Sequence, residues 1–186
     1  ERTGLNVYVK RDDMSGMEWS GNKIRKLEFS IQEALDRGAD TLITCGGIQS
    51  NHCRATAAAA ARLGLRSCLL LRTDDPDPLL DGNYFIDKVL GADIRFISAE
   101  DYRSRRGEVM EELAGEFERQ GHKAYIIPEG ASNGIGTFGY LSCMQEILQQ
   151  EKEMGVQFDT IVDAVGSGGT LAGLVLANRL YGLNKR

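Results

Sequence analysis

The sequence predicts an α/β fold, an open parallel sheet with crossover helices. Two observations carry that expectation. Short apolar runs of four to six residues recur between longer segments whose apolar residues fall at helical spacing. One of those longer segments, Asn51 to Leu63, holds five consecutive alanines, which suits a helix packed closely against a sheet.

Leu5 to Val9 alternates and is expected as a first strand. Ile24 to Arg37 carries Leu27, Ile31, Ala34 and Leu35 on one helical face, with Gly38 as its stop. Thr41 to Cys45, before Gly46-Gly47, fits a buried strand. The alanine-rich helix follows and ends at Gly64, and Ser67 to Leu71 is the next strand. Asp74 to Gly82 holds two prolines, four aspartates and a glycine, a loop composition. Beyond it, Tyr84 to Leu90 is expected as a short helix and Ile94 to Ile97 as a strand. A charged amphipathic helix is expected from Asp101 to Gln120, then a strand from Ala124 to Ile127 that Pro128 stops. Helices from Gly139 to Met154 and from Leu171 to Tyr181 flank a final strand, Thr160 to Val165. The chain opens in the approach to its first strand and stops just after the last helix, the pattern expected of a fragment.

The 186 residues suffice for one good core or two small lobes. Lys and Arg number 22 against 27 Asp and Glu, and no basic stripe is present, so nucleic acid is not an expected partner. No apolar stretch approaches the ~20 residues of a membrane span, and no signal-peptide pattern is visible. Cys45, Cys53, Cys68 and Cys143 form no C-x-x-C pair, and three lie in or beside apolar runs. Reduced, buried thiols in a cytoplasmic protein, with no metal site, are the expectation.

Two segments carry chemistry. Lys23 lies in Ser20-Gly21-Asn22-Lys23-Ile24-Arg25-Lys26, after a polar loop and at the start of a helix. Backbone amides there favour anions and disfavour a nearby ammonium, so this amine is a candidate for a lowered pKa; a solvated surface lysine is the competing reading. Lys26, about one turn along, is placed to meet a phosphate. Far downstream, Gly166-Ser167-Gly168-Gly169-Thr170 follows an apolar run and opens a helix. Leu171 stands where a dinucleotide fingerprint needs its last glycine, and no lysine is present for a P-loop. A nest of amides with two hydroxyls remains, suited to one phosphate monoester, or else a ligand-free tight turn. An amine and a phosphate cradle in one α/β chain point to pyridoxal phosphate. Gly46-Gly47-Ile48-Gln49-Ser50-Asn51-His52 lies between a strand end and a helix start, the edge where open α/β folds bind ligands. Ser50 or Asn51 also suits a helix cap. For His52, catalysis, capping and packing stay open, and His122, after Gly121 in a polar turn, is expected to be exposed.

The runs Gly21-Asn22-Lys23-Ile24-Arg25-Lys26-Leu27-Glu28-Phe29 and Gly46-Gly47-Ile48-Gln49-Ser50-Asn51-His52-Cys53-Arg54 resemble the D-cysteine desulfhydrase and 1-aminocyclopropane-1-carboxylate deaminase family. The resemblance continues through Pro128-Glu129-Gly130-Ala131-Ser132-Asn133 and Gly139-Tyr140. It implies a fold type II pyridoxal phosphate enzyme, similar to the tryptophan synthase β subunit, with open parallel sheets in two lobes and a C-terminal part missing from this chain. The implied division is a piece of the large domain at residues 1–28, a small α/β domain at 29–138 and an incomplete large cofactor-binding domain at 139–186.

By the same resemblance, Lys23 is the lysine that carries the cofactor and moves the substrate's α-proton. Lys26 helps hold the phosphate, and Gly166, Ser167, Gly168, Gly169 and Thr170 form the main phosphate loop. Asn51 is the asparagine that bonds the cofactor's phenolic oxygen, and Ser50 the catalytic serine at the substrate carboxylate, a proposed nucleophile in the deaminase branch. Residues that stack on the pyridine ring and bond its nitrogen fall beyond Arg186. The implied reaction is an α,β-elimination on a D-amino acid, D-cysteine giving pyruvate, hydrogen sulfide and ammonia. Two alternatives stand beside it: opening of 1-aminocyclopropane-1-carboxylate to 2-oxobutanoate and ammonia, and a non-catalytic cofactor-binding remnant. Ser50-Asn51-His52-Cys53-Arg54 resembles the desulfhydrase branch, whereas deaminases more often show glutamine and threonine in place of His52 and Cys53. A small amino-acid substrate and a homodimer are the expected partners.

Overall fold

Four parallel strands, β1 (Thr41–Gly47), β2 (Arg66–Arg72), β3 (Asp93–Ile97) and β4 (Ala124–Ile126), form one sheet in the order β3-β2-β1-β4. The computed structural model describes residues 4–16 and 20–186. Thr41 of β1 stands opposite Arg66 of β2 on one side and Ala124 of β4 on the other. Alternation along each strand sends side chains to two faces. Leu42 meets α1 (Lys23–Asp36) and α2 (Asn51–Leu63) through Leu27, Ile31, Ala55 and Ala59. Leu69 and Leu71 meet α2 and α3 (Gly82–Val89) through Cys53, Ala57 and Tyr84. On the opposite face, Ile43, Cys45, Cys68 and Leu70 meet Met110, Leu113 and Phe117 of α4 (Ala99–Arg119). Each fully buried leucine here contributes roughly 1.5–3 kcal/mol.

The alanine run does what its composition predicts: Ala57 to Ala60 are all buried, and with no side chain beyond Cβ the helix lies close on the strands. Ser50 caps α2 by accepting from Cys53 N at 3.2 Å, and Gly64 closes it at φ 68°.

A second assembly pairs α5 (Gly134–Met154) with α6 (Gly169–Leu180), where Tyr140, Cys143, Met144 and Ile147 pack on Leu174 and Ala177. Two glycines set its spacing. A Cβ on Gly139 would run into the Arg25 carbonyl of α1, and one on Gly173 would meet Tyr140 and, at 2.6 Å, the Thr137 carbonyl. Here α1, α5 and α6 therefore approach at backbone distance.

Three expectations need correction. Leu5 to Val9 is not a strand; it has no regular structure, and Leu5, Val7 and Val9 are exposed. Thr160 to Val165 is likewise irregular. Ile161 N donates to Arg186 O at 2.7 Å and Arg186 N to Asp159 O at 2.8 Å. Among the described residues no strand lies alongside either segment, and without a ladder partner an alternating sequence does not become a strand. Helix α5 begins at Gly134 rather than Gly139, because Asn133 caps it, accepting from Gly136 N at 2.9 Å. The other helices and strands start and stop within a few residues of the expected positions.

The expected boundaries after residues 28 and 138 fall inside α1 and α5, and residues 1–3 and 17–19 of the first piece lie outside the described residues. No helix among the described residues is long and apolar enough to cross a membrane.

Candidate active site

The first turn of α1, the turn at residues 128–133 and the glycine loop before α6 converge on one spot. Asn22 precedes α1 in N-cap position, yet its side chain makes no cap hydrogen bond. Its Oδ1 instead accepts from Lys23 Nζ at 2.9 Å, and its Nδ2 donates to Thr170 Oγ1 at 3.1 Å. One turn along, Lys26 Nζ donates to Ser132 Oγ at 3.2 Å, and Ser132 shares a 2.6 Å hydrogen bond with Ser167. Both lysines are thus tied to the loop 166–170, each through a single intermediary.

Backbone shape makes this convergence possible. Gly130 (φ 68°) approaches so closely that an added Cβ would lie 2.6 Å from Ser167 Oγ. Gly169 stands equally close to Ser132 Oγ, at 2.6 Å. Gly168 enters α6 at φ 86° and no side chain caps that helix. The first backbone N–H groups of α6, which have no partner inside the helix, face the cradle with the positive end of the helix dipole.

The electrostatics are those of an anion site. Lys26 is buried and Lys23 half-buried, and among the described residues neither forms an ion pair. Burial lowers the pKa of Lys23, while the charge of Asp163 acts the other way. Lys26 is pushed down to about 8, first by burial and then by the Lys23 charge, again opposed by Asp163. One Asp163 carboxylate oxygen is buried with no hydrogen-bond partner among the described residues. Two ammonium groups held together out of water are costly unless an anion joins them.

His52 lies in the first turn of α2 with its ring turned into the protein, 3 % exposed. Thr44 donates to the Ile127 carbonyl at 2.7 Å, so His52 Nε2, at 2.8 Å, is the donor to Thr44 Oγ1. Burial, then the charges of Lys23 and Lys26, pushes its pKa down to about 3, so the ring stays neutral. Ser50 is occupied as the α2 cap, and Asn51 beside it is exposed. His122, expected to be exposed, is half-buried, with Nδ1 3.0 Å from Asp40 Oδ2 and its ring edge-on to Phe117.

The structure brings Lys23, Lys26 and Gly166 to Thr170 together, with Ser50 and Asn51 at the mouth of α2. Sequence reasoning passed over Asn22, Ser132 and Asp163. Ser132 stands in a turn whose Ala131 has φ 47°, and Asp163 is a lone acid in an apolar run. The second of these was a visible signal; the first appears only in the backbone.

A loop-to-helix anion cradle facing paired, partly desolvated lysines stands on an open parallel α/β sheet, the architecture of the fold type II class. The family model described as "Pyridoxal-phosphate dependent enzyme" matches residues 1–185, and the chain belongs to that family. It is 48 % identical over 190 residues to the Arabidopsis thaliana protein named "Bifunctional D-cysteine desulfhydrase/1-aminocyclopropane-1-carboxylate deaminase, mitochondrial", covering 98 % of this chain and 47 % of that one. It is 42 % identical over 177 residues to the D-cysteine desulfhydrase of Serratia proteamaculans, covering 93 % of this chain and 53 % of the relative. A crystal structure described as an ACC deaminase homologue superposes with a TM-score of 0.90 at 44 % identity, covering all of this chain and 55 % of the other. The chain spans about half the length of the curated relatives it matches.

Proposed function

We propose that this chain is the lysine-bearing and phosphate-holding part of a pyridoxal-phosphate-dependent enzyme that carries out α,β-elimination on a D-amino acid, D-cysteine yielding pyruvate, hydrogen sulfide and ammonia. One observation carries the reading: two lysines of lowered pKa, in one helical turn, are both linked through hydroxyl or amide groups to a glycine loop at an uncapped helix mouth. These residues fit the cofactor. Lys26, Ser132, Ser167, Thr170 and the amides of 166–170 would hold its phosphate, Lys23 would carry it, and Asn51 would donate to its phenolic oxygen. When bound, the cofactor supplies an electron sink for charge developing at the substrate's Cα.

The chain's own groups supply the rest. Lys23 can accept the α-proton only as a free amine, and burial favours that form. Its hydrogen bond to Asn22 fixes where Nζ points, and Asn22 is itself held by Thr170. Lys26, one turn along, supplies the positive charge that would meet the phosphate. Ser50, at the mouth of α2, is the candidate contact for the substrate carboxylate. The division into a small domain at 29–138 and large-domain pieces on either side belongs to the same reading, supported by the separate packing of α5 on α6. A homodimer and a cytoplasmic location are also part of it. Four free, buried thiols support a reducing compartment.

Opening of 1-aminocyclopropane-1-carboxylate is the second reading, favoured by the likeness to the ACC deaminase homologue and by the double name of the Arabidopsis relative. With the full-length protein, kcat/KM is compared on both substrates, reading sulfide from one and 2-oxobutanoate from the other. Preference for D-cysteine is expected; preference for the cyclopropane would overturn the substrate while leaving the cofactor reading in place. Borohydride reduction followed by peptide mapping tests the cofactor separately. The label is expected on Lys23, and a label on Lys26 or Lys10 would refute that assignment.

A further inference from the structure

Between the mouth of α2 and the start of α3 lies a polar network of which the reaction outlined above uses only Asn51. Arg54, in the first turn of α2, donates through Nη1 to Asn51 Oδ1 at 3.2 Å and to Asn83 Oδ1 at 3.1 Å. Its Nη2 donates at 3.0 Å to the carbonyl of Ser20, three residues before Lys23. Asn83 returns to Asn51: its Nδ2 donates to Asn51 Oδ1 at 2.9 Å and to the Gln49 carbonyl at 2.8 Å. Asn83 N donates to Gln49 Oε1 at 2.7 Å, and Gln49 Nε2 to Asp81 Oδ1 at 2.8 Å. Gly82, at φ 51°, leaves room for Gln49 that any Cβ would fill.

The orientation of each amide follows from donor and acceptor chemistry. A guanidinium only donates, so the atoms of Asn51 and Asn83 that face Arg54 are oxygens. Asn51 Oδ1 therefore accepts twice from the protein. Its Nδ2 has no hydrogen-bond partner among the described residues, and the residue is exposed. Behind Arg54, Asp87 is fully buried, with neither carboxylate oxygen hydrogen-bonded among the described residues. It lies one turn along α3 from Asn83. Burial pushes its pKa up to about 7, and the Arg54 charge opposes that rise.

We propose that Arg54 and Asn83 are positioning residues that hold the Asn51 carboxamide with its oxygen turned into the protein and its NH2 turned outward, so that Asn51 presents a donor to an anionic oxygen of the bound cofactor. The inference rests on the reading of Asn51 as that donor. It adds a second constraint, because the guanidinium that fixes Asn51 also anchors the backbone leading into Lys23. Donor and amine are thereby tied to one group.

The test uses the full-length holoenzyme and the pH midpoint of the bound cofactor's visible absorbance. A donor to an anionic oxygen lowers the pH at which the cofactor gives up its proton. Asn51→Ala should raise the midpoint by roughly 0.4–1 pH unit, the size of one net hydrogen bond. Asn83→Ala and Arg54→Lys should shift it the same way by less, and adding Asn83→Ala to Asn51→Ala should produce no further shift. Melting of the cofactor-free proteins separates this from a purely structural role, which would lower the melting temperature and leave the midpoint alone. If Arg54→Lys fails to fold, Asn83→Ala decides. Unmoved midpoints in Asn83→Ala and Arg54→Lys, with Asn51→Ala shifted, would overturn the positioning role alone. Additive shifts in the double variant would do the same. An unmoved midpoint in Asn51→Ala would overturn the donor reading of Asn51 and this inference with it.

Discussion

Leu69 on β2 and Val162 in the segment before the glycine loop are both branched aliphatics inside apolar runs, yet Leu69 is wholly buried and Val162 is 91 % exposed. The two runs differ in their surroundings. Leu69 has a strand on each side, with α2 and α3 against its face. Beside Val162, among the described residues, Ile161 and Asp159 are held by backbone bonds to Arg186 and no strand is paired. Leu171, Val175, Leu176 and Leu180 of α6 are exposed too, to a smaller extent. The central strands β1 and β2 are buried along almost their whole length, whereas one face of α6 is exposed. The candidate site lies on the seam, with its amines on α1 and its cradle on α6.

The sharpest probe of that seam is Lys23→Ala in the full-length protein. Loss of a positioned proton acceptor should lower kcat by about 10²–10⁴-fold with little change in unfolding midpoint, measured by steady-state kinetics and urea denaturation. A large loss of stability instead would make Lys23 part of the fold rather than of the chemistry. Next in size, Leu69→Ala should destabilise by about 2–5 kcal/mol, because its neighbours on all sides cannot collapse into the gap. Lys26 gives an intermediate effect that depends on pH. Its pKa of about 8 means that, above that pH, Lys26 must take up a proton as a phosphate binds. Affinity for pyridoxine 5′-phosphate, which lacks the aldehyde, should be level between about pH 7, where a phosphate monoester is fully ionised, and about 8. Above that it should fall by up to about tenfold per pH unit. Lys26→Ala should weaken binding and flatten the profile, as titration calorimetry would report. The smallest effect is Val162→Ser in the 186-residue chain, expected within about 0.5 kcal/mol. A cost near that of Leu69→Ala would erase the contrast between the regions.

Legibility in the sequence follows the same division. Periodicity located β1, β2, α1 and α2 because each finds its partner within reach along the chain: β1 pairs with β2, and the helix between them covers both. The runs at 5–9 and 160–165 carry the same local signal, but a strand is defined by its neighbour, and alternation says nothing about whether one is present. Within the site, Lys23, Lys26 and the glycine loop were readable because each occupies a helix mouth, a position that local sequence encodes. Ser132 was not, since its place beside Lys26 depends on a turn 106 residues away along the chain. Nor was the inward turn of His52, which depends on Thr44 from a neighbouring strand.

Gly139 and Gly173 act as a gauge for the site although neither touches it. The helix with both amines and the helix behind the cradle are each pressed to backbone distance against the same third helix. The span from Lys23 to Thr170 is therefore fixed by two missing methyl groups rather than by the polar side chains that line it. A lineage can exchange those polar groups to suit a new substrate without resetting the span. One carbon added at Gly139 would lever both amines away from the loop at once, retuning a reaction centre from a position with no chemistry of its own.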